Sequence, residues 1–409
     1  MKIWIKFLIG SVLGIIIALI LPAEGFFMQK LLPYMTKFAI RFGRYLLLPL
    51  IFFSMTVSVY KLRESGILFK TAVKTSLVII ISSLILTAIG VISGLIIKLP
   101  RIPIPVEKIS QSTSFDIAGN LLKIFPESIF SVFLDGAYLL PLYVLAGFAG
   151  AGCYTDNNIS KPILTLFDSL SKVCYSIMCF FTDMLAFGMI PIAASWTVDF
   201  LAAFKTGIFN NLIILLTIDF IIVTFIIFPL ILRFKFKEFH PFRILYASIT
   251  SILTAFLSGD TNLVLALNMR HGKESLGIHR RINSVTMPVF STFSRGGSAL
   301  VISICFIIIL RSYSSLGIKF FDVIWLFATA FACSFFLGAL PTGGTFIALT
   351  IICSFYGRGY AAGYLLLKPI APLLCAFAAA FDAVVAMFGS YLIASQSKLT
   401  EHKDTKYFI

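Results

Sequence analysis

Apolar runs long enough to cross a lipid bilayer recur along the whole of this 409-residue chain, and nothing else limits its fold so sharply. A hydrocarbon core about 30 Å thick needs about 20 consecutive apolar residues in helical form. Such a core offers no water to unpaired backbone groups, so each run must satisfy its own hydrogen bonds. The composition agrees: 59% of residues are hydrophobic, 12% are charged and 43 are Phe, a makeup that a soluble domain could hardly keep in solution. The chain reads as an all-α polytopic membrane protein.

The formal net charge of +15 would suit a nucleic-acid partner, but the basic residues are scattered among short loops between apolar runs. Positive-inside topology explains that pattern, and no nucleic acid is called for. The seven cysteines lie in or beside apolar segments with no CxxC spacing, and read as free thiols used as small core residues. His240, His271, His279 and His402 fall in charged loops or the tail, so neither a metal site nor a catalytic dyad is indicated. No nucleophile–base pair can be assembled from this inventory, which argues against an enzyme and against a resident cofactor.

Charge, Pro and Gly clusters delimit spans near residues 4–22, 35–60, 71–97, 137–154, 162–197 and 209–232. The first has the basic start of a signal peptide, but its apolar run is long and no small-x-small cleavage site follows, so it is read as an uncleaved span. The fifth is too long for a straight crossing and holds Asp168, Lys172 and Asp183, so part of it should pack on protein or lie at the interface. The basic loop KLRESGILFKTAVK belongs on the cytoplasmic side, and the charge-balanced stretch 98–135 outside. The N-terminus is then cytoplasmic, as are RFKFKEFHPFR and the tail at 399–409.

The segment 244–269 breaks this alternation, because basic clusters flank both its ends while its middle reads SGDTN. A turn there makes a hairpin that enters and leaves on the same side. The segment 324–356, interrupted by GALPTGG, repeats the pattern from the opposite face, and a last span follows near 365–394. Such irregular backbone at membrane depth is tolerated only where it is buried in protein or lines a polar cavity. Paired interrupted segments in an inverted repeat point to a midplane substrate site of a secondary transporter.

Four stretches would meet at that site: Ser258–Asn262; Ser294–Ser298 with Arg295, Gly296 and Gly297; Pro341–Thr345; and Asp382. An Arg or Asp at a helix centre costs about 2.5 to 3.5 kcal/mol on insertion scales, so these groups should pair, or face water or a ligand. Two readings of Arg295 stand: a structural partner of Asp382 or Asp260, or a direct contact to substrate. Gly296 and Gly297 alone read as packing notches, and Ser82 and Ser83 as serines bonded back to their own helix. Broken helices offer N–H groups to a carboxylate and carbonyls to a cation, which suits a small zwitterion or carboxylate.

In motif order these segments resemble the dicarboxylate/amino acid:cation symporter family, the glutamate and aspartate transporter homologues. SILTAFLSGDTNLVLALNMR resembles its first hairpin, TMPVFSTFSRGGSAL its seventh span, GALPTGG its second hairpin tip, and the segment around Asp382 its eighth span. The resemblance implies eight transmembrane helices and two re-entrant hairpins with inverted repeats, usually in a homotrimer. A scaffold (about 1–65 and 135–200) would hold the subunit contacts. A transport part (about 66–98 and 205–398) would carry substrate across the membrane like an elevator, coupled to Na+ or H+.

By the same resemblance the substrate would meet Asp260, Thr261, Asn262, Arg295, Ser298, Leu340, Pro341, Thr342, Gly343, Asp382, Val385 and Gly389. Asp382 stands where the family holds the substrate amino group, while Ser82, Ser83, Ser294 and Gly296 stand at cation-site positions. The departures are specific. NMDGT in the family is SRGGS here, so an asparagine becomes Ser294 and a buried aspartate becomes Gly296. The arginine that grips an acidic side chain is replaced by Val385, an asparagine by Gly389, and a further sodium-ligating aspartate by Ile393. The implied function is symport of a small amino acid or dicarboxylate such as glutamate or aspartate across the cytoplasmic membrane, with altered cation coupling. The alternatives are neutral amino acid exchange, or a non-transporting receptor or anion channel.

Overall fold

The computed structural model describes residues 2–22, 25–97, 99–103, 119, 122–134, 138–155, 157–235, 240–313, 317–339, 344–357 and 359–409. Half of the stretch expected outside, including 104–118, lies beyond the described residues. Among the described residues the regular structure is helical, and seven helical segments are long and apolar enough to cross a membrane. The chain is a multi-pass membrane protein.

The first span, α1 (Ile3–Ile20), is followed by α2 (Leu32–Arg44), entered through one π-helical turn, and α3 (Leu47–Glu64). The segment expected as one span at 35–60 is thus two helices, separated at Tyr45 and Leu46. Next come α4 (Leu68–Ile96), the short α5 (Leu140–Gly152), and α6 (Asn157–Lys205). At 49 residues α6 extends about 73 Å, more than twice the hydrocarbon thickness, despite Pro162 and Pro191 within it. Then α7 (Asn210–Ile221) runs through a π-helical stretch into α8 (Phe228–Lys235).

Small residues set how closely these helices approach. A Cβ on Gly10 would lie 2.3 Å from the Ala186 carbonyl oxygen and one on Gly14 2.2 Å from that of Ile190, so this GxxxG pair is what allows α1 to lie on α6. The same device recurs where Gly90 of α4 meets the backbone of Leu300.

Past residue 240 the chain folds back on itself. Helices α9 (Phe242–Ser258) and α10 (Thr261–Glu274) pack on one another across a two-residue turn, Gly259 and Asp260. Gly259 has φ 63°, a left-handed conformation that suits glycine and ends α9. Asp260 then starts α10 by accepting from the backbone N–H groups of Asn262 (3.0 Å) and Leu263 (3.4 Å). The turn expected at SGDTN lies here. Helices α11 (Arg280–Phe293) and α12 (Gly296–Tyr313) form one span broken at Ser294 and Arg295. Beyond it, α13 (Phe320–Phe336) and α14 (Gly344–Tyr356) pack together. Between them Leu340, Pro341, Thr342 and Gly343 lie outside the described residues.

The last helix, α15 (Ala371–Gln396), is buried along most of its length against α9, α11 and α12. It is the axis on which the broken helices assemble. The tail folds back onto the hairpin: His279 N donates to Leu399 O at 3.0 Å and Glu401 N to Gly277 O at 2.9 Å.

Candidate functional site

The break between α11 and α12 leaves the first N–H groups of α12 without intrahelical acceptors. Asp382 supplies one from α15: its Oδ1 accepts from Gly297 N at 2.8 Å and its Oδ2 from Ser298 Oγ at 3.1 Å. A carboxylate at a helix N-terminus also meets the positive end of the helix dipole. The close approach requires glycine at 297, where a Cβ would lie 2.3 Å from Phe381 Cβ and 2.8 Å from Asp382 Oδ1.

Arg295, in the break itself, brings Nη1 to 3.8 Å from Asp382 Oδ2. Of the two partners foreseen for this arginine, the structure brings it to Asp382. Its Nε is buried and has no hydrogen-bond partner among the described residues, an expensive state for a guanidinium N–H. Arg295 lines a polar cavity together with Asp260, Thr261 and Asn262 at the α9–α10 turn, and with Ser298 and Thr345, whose hydroxyls are 3.1 Å apart. Asp382 stands behind Arg295 and is not among the lining residues.

Asp260 has a different partner. Arg44, the last residue of α2, hydrogen-bonds its Oδ2 while Oδ1 caps α10. Two arginines and two aspartates therefore balance one another around the cavity. Arg44 escaped the sequence reading, as did Thr292 and Cys375 in the cavity wall. A second arginine inside the apolar 35–60 segment was the signal available for Arg44.

Of the other described candidates, Val385, Gly389, Ser82, Ser83, Ser294 and Gly296 are not in the cavity wall. Val385 is buried in the main apolar core, and Gly389 faces Phe290, whose ring a Cβ there would approach to 2.4 Å. Ser82 bonds back to Ile79 O at 3.0 Å. The hydroxyls of Ser83 and Ser294 are buried without partners among the described residues, and Ser83 Oγ is 3.3 Å from where a Cβ on Gly296 would stand.

This arrangement of a broken span, an aspartate-capped half-helix and a hairpin turn around one cavity is matched at the level of sequence. Residues 3–396 match the Sodium:dicarboxylate symporter family. The chain belongs to that family. Its similarity to individual relatives is narrower. It is 29% identical over 127 residues to the human neutral amino acid transporter B(0), covering 31% of this chain and 23% of that protein. It is 26% identical over 127 residues to bovine neutral amino acid transporter A, covering 31% and 24%. It is 27% identical over 128 residues to a putative sodium-dependent excitatory amino acid transporter, glt-6, of Caenorhabditis elegans, covering 31% and 23%. The chain thus matches about a quarter of the length of each of these relatives.

Proposed function

We propose that the chain is a secondary active transporter that carries a small carboxylate-bearing solute, an amino acid or a dicarboxylate, across the cell membrane. The observation that carries this reading is the Arg295 guanidinium, which faces the cavity with Nε unpartnered among the described residues. Its ion pair with Asp382 is long, and both oxygens of that carboxylate already accept from Gly297 and Ser298. A substrate carboxylate would complete the guanidinium fork, and the Ser298 and Thr345 hydroxyls would serve its other polar atoms. Because Arg295 already opposes Asp382, the site does not demand a substrate amino group, so glutamate, aspartate, neutral amino acids and plain dicarboxylates share one class. Relatives named as neutral and excitatory amino acid transporters support that class.

The movement we propose is an elevator shift of 66–98 and 205–398 against 1–65 and 135–200. It would take place in a homotrimer of eight-span subunits with two re-entrant hairpins, α9–α10 and α13–α14, and with both termini cytoplasmic. Sodium, the co-substrate in the family's description, would meet only neutral oxygens at Ser83 and Ser294 beside Gly296. That donor set fits coupling that depends weakly on sodium, and a proton carried by Asp382 or Asp260 would be the other driving ion.

Uptake of labelled L-aspartate, L-alanine and succinate into proteoliposomes, under imposed sodium or proton gradients, tests the reading. Concentrative uptake of at least one of them, abolished by Arg295→Gln, is expected. A current carried by chloride with no solute accumulation would overturn transport in favour of an anion channel.

A further inference from the structure

Away from the central cavity, two hollows adjoin at the start of α9. Among the described residues the first is lined by Arg233, Arg243, Lys403 and Lys406, with one carboxylate, Asp404. The second is apolar and runs along α9 and the Thr217–Phe225 stretch, with Phe225, Leu245, Ile249 and Leu253 in its walls. Phe242 and Tyr246 belong to both. Positive-inside topology accounts for basic residues in this region, but not for their convergence on one hollow contiguous with an apolar groove.

The basic wall is built rather than loose. Tyr246 and Phe408 stack with ring centroids 5.8 Å apart, and Lys2 Nζ donates to Tyr246 OH at 3.1 Å. Arg243 donates to the Lys403 carbonyl and lies 3.0 Å from His402 Nδ1, while its buried Nε has no partner among the described residues. Phe242 and Phe225 are 59% and 51% exposed, so the groove opens on a face that protein does not cover.

We infer that this pair of hollows binds one anionic phospholipid, its headgroup phosphate at the basic wall and an acyl chain in the groove along α9. Charge complementarity favours an anionic headgroup, because among the described residues four cations and one carboxylate line the hollow, and that carboxylate, Asp404, is taken by Lys406 at 3.4 Å. The contiguous apolar groove selects a lipid over a free phosphate, which would leave it unfilled.

Native mass spectrometry and thermal unfolding of the full chain in neutral detergent test this, with phosphatidylglycerol, phosphatidylcholine, glycerol phosphate and inorganic phosphate as probes. Phosphatidylglycerol should be retained and should raise the unfolding temperature, and the other three should not. Arg233 and Lys406 are both exposed, so Arg233→Gln with Lys406→Gln should leave the fold intact. That double variant should weaken retention by about 25-fold, at about fivefold per charge near a membrane surface. Lys406→Gln alone should cost about fivefold. Equal retention of phosphatidylcholine overturns the proposal, as does equal stabilisation by glycerol phosphate or inorganic phosphate. So does undiminished phosphatidylglycerol binding in the variants, while the wild-type comparisons decide the matter even if a variant fails to fold.

Discussion

Arg44 and Asp260 join α2 to the α9–α10 turn: the guanidinium takes one carboxylate oxygen while the other caps α10. Both side chains are largely shielded, at 17% and 7% exposure. Removing one partner of such a pair strands a charge, at about 3 kcal/mol or more, whereas removing both does not. Arg44→Met and Asp260→Asn should therefore each lower the unfolding free energy more than their combination does. A double variant as destabilised as the sum of the singles would falsify the pairing.

At Gly297 the argument is steric. Gly297→Ala places a methyl group into Phe381 Cβ and the Ala378 carbonyl, so α12 must move off α15 at the point where Asp382 caps it. A destabilisation of about 1 to 3 kcal/mol and loss of uptake are expected. Gly147→Ala is the control, because nothing lies within 4 Å of its added Cβ, and in a helix it should stabilise by about 0.5 to 1 kcal/mol. Denaturation in detergent compares the two.

Arg295 can be separated from a generic positive charge. Arg295→Lys keeps the charge opposite Asp382 but loses the planar fork. If that fork grips substrate, the half-saturating substrate concentration should rise about tenfold while the folded protein remains stable. Unchanged half-saturation in Arg295→Lys would leave the arginine a purely structural partner of Asp382.

On the far side of the hairpin, Tyr175 OH donates to Glu274 Oε1 at 2.7 Å, and Arg270 meets both Glu274 and Asp183. A hydrogen bond to a charged acceptor is worth about 1.5 to 3 kcal/mol. Tyr175→Phe should thus speed amide exchange in α10 relative to α15, as hydrogen–deuterium exchange would report. Equal protection in both proteins would mean that the bond does not hold the hairpin.

The elements were legible in the sequence where local chemistry decided them. SGDTN has a glycine able to take positive φ followed by an aspartate able to cap, and α9 ends and α10 begins on those two residues. FSRGG marks the break in its span, where Gly297 meets Asp382, while the sequence left Asp382, Asp260 and a substrate all open as partners of Arg295. Partnership between distant elements was less legible. RFGRYLLLP falls inside the one span expected at 35–60, and only the packing of α2 on the hairpin turns Arg44 toward Asp260. Val385 and Gly389 were named by analogy of position, and the core that surrounds them depends on how α15 rotates against Phe290, which no local pattern encodes. The 49-residue α6 also runs through Pro162, where the span expected at 162–197 began.

The contact between Arg295 and Asp382 has a consequence for how such a chain can change over generations. A guanidinium stays protonated at every physiological pH, so the positive charge facing this buried aspartate is inherited in the sequence and does not vary with the medium. A lineage that lost the arginine would have to replace Asp382 in the same stroke or recruit a dissolved cation to stand beside it, and until it did so the two positions would be bound to one history.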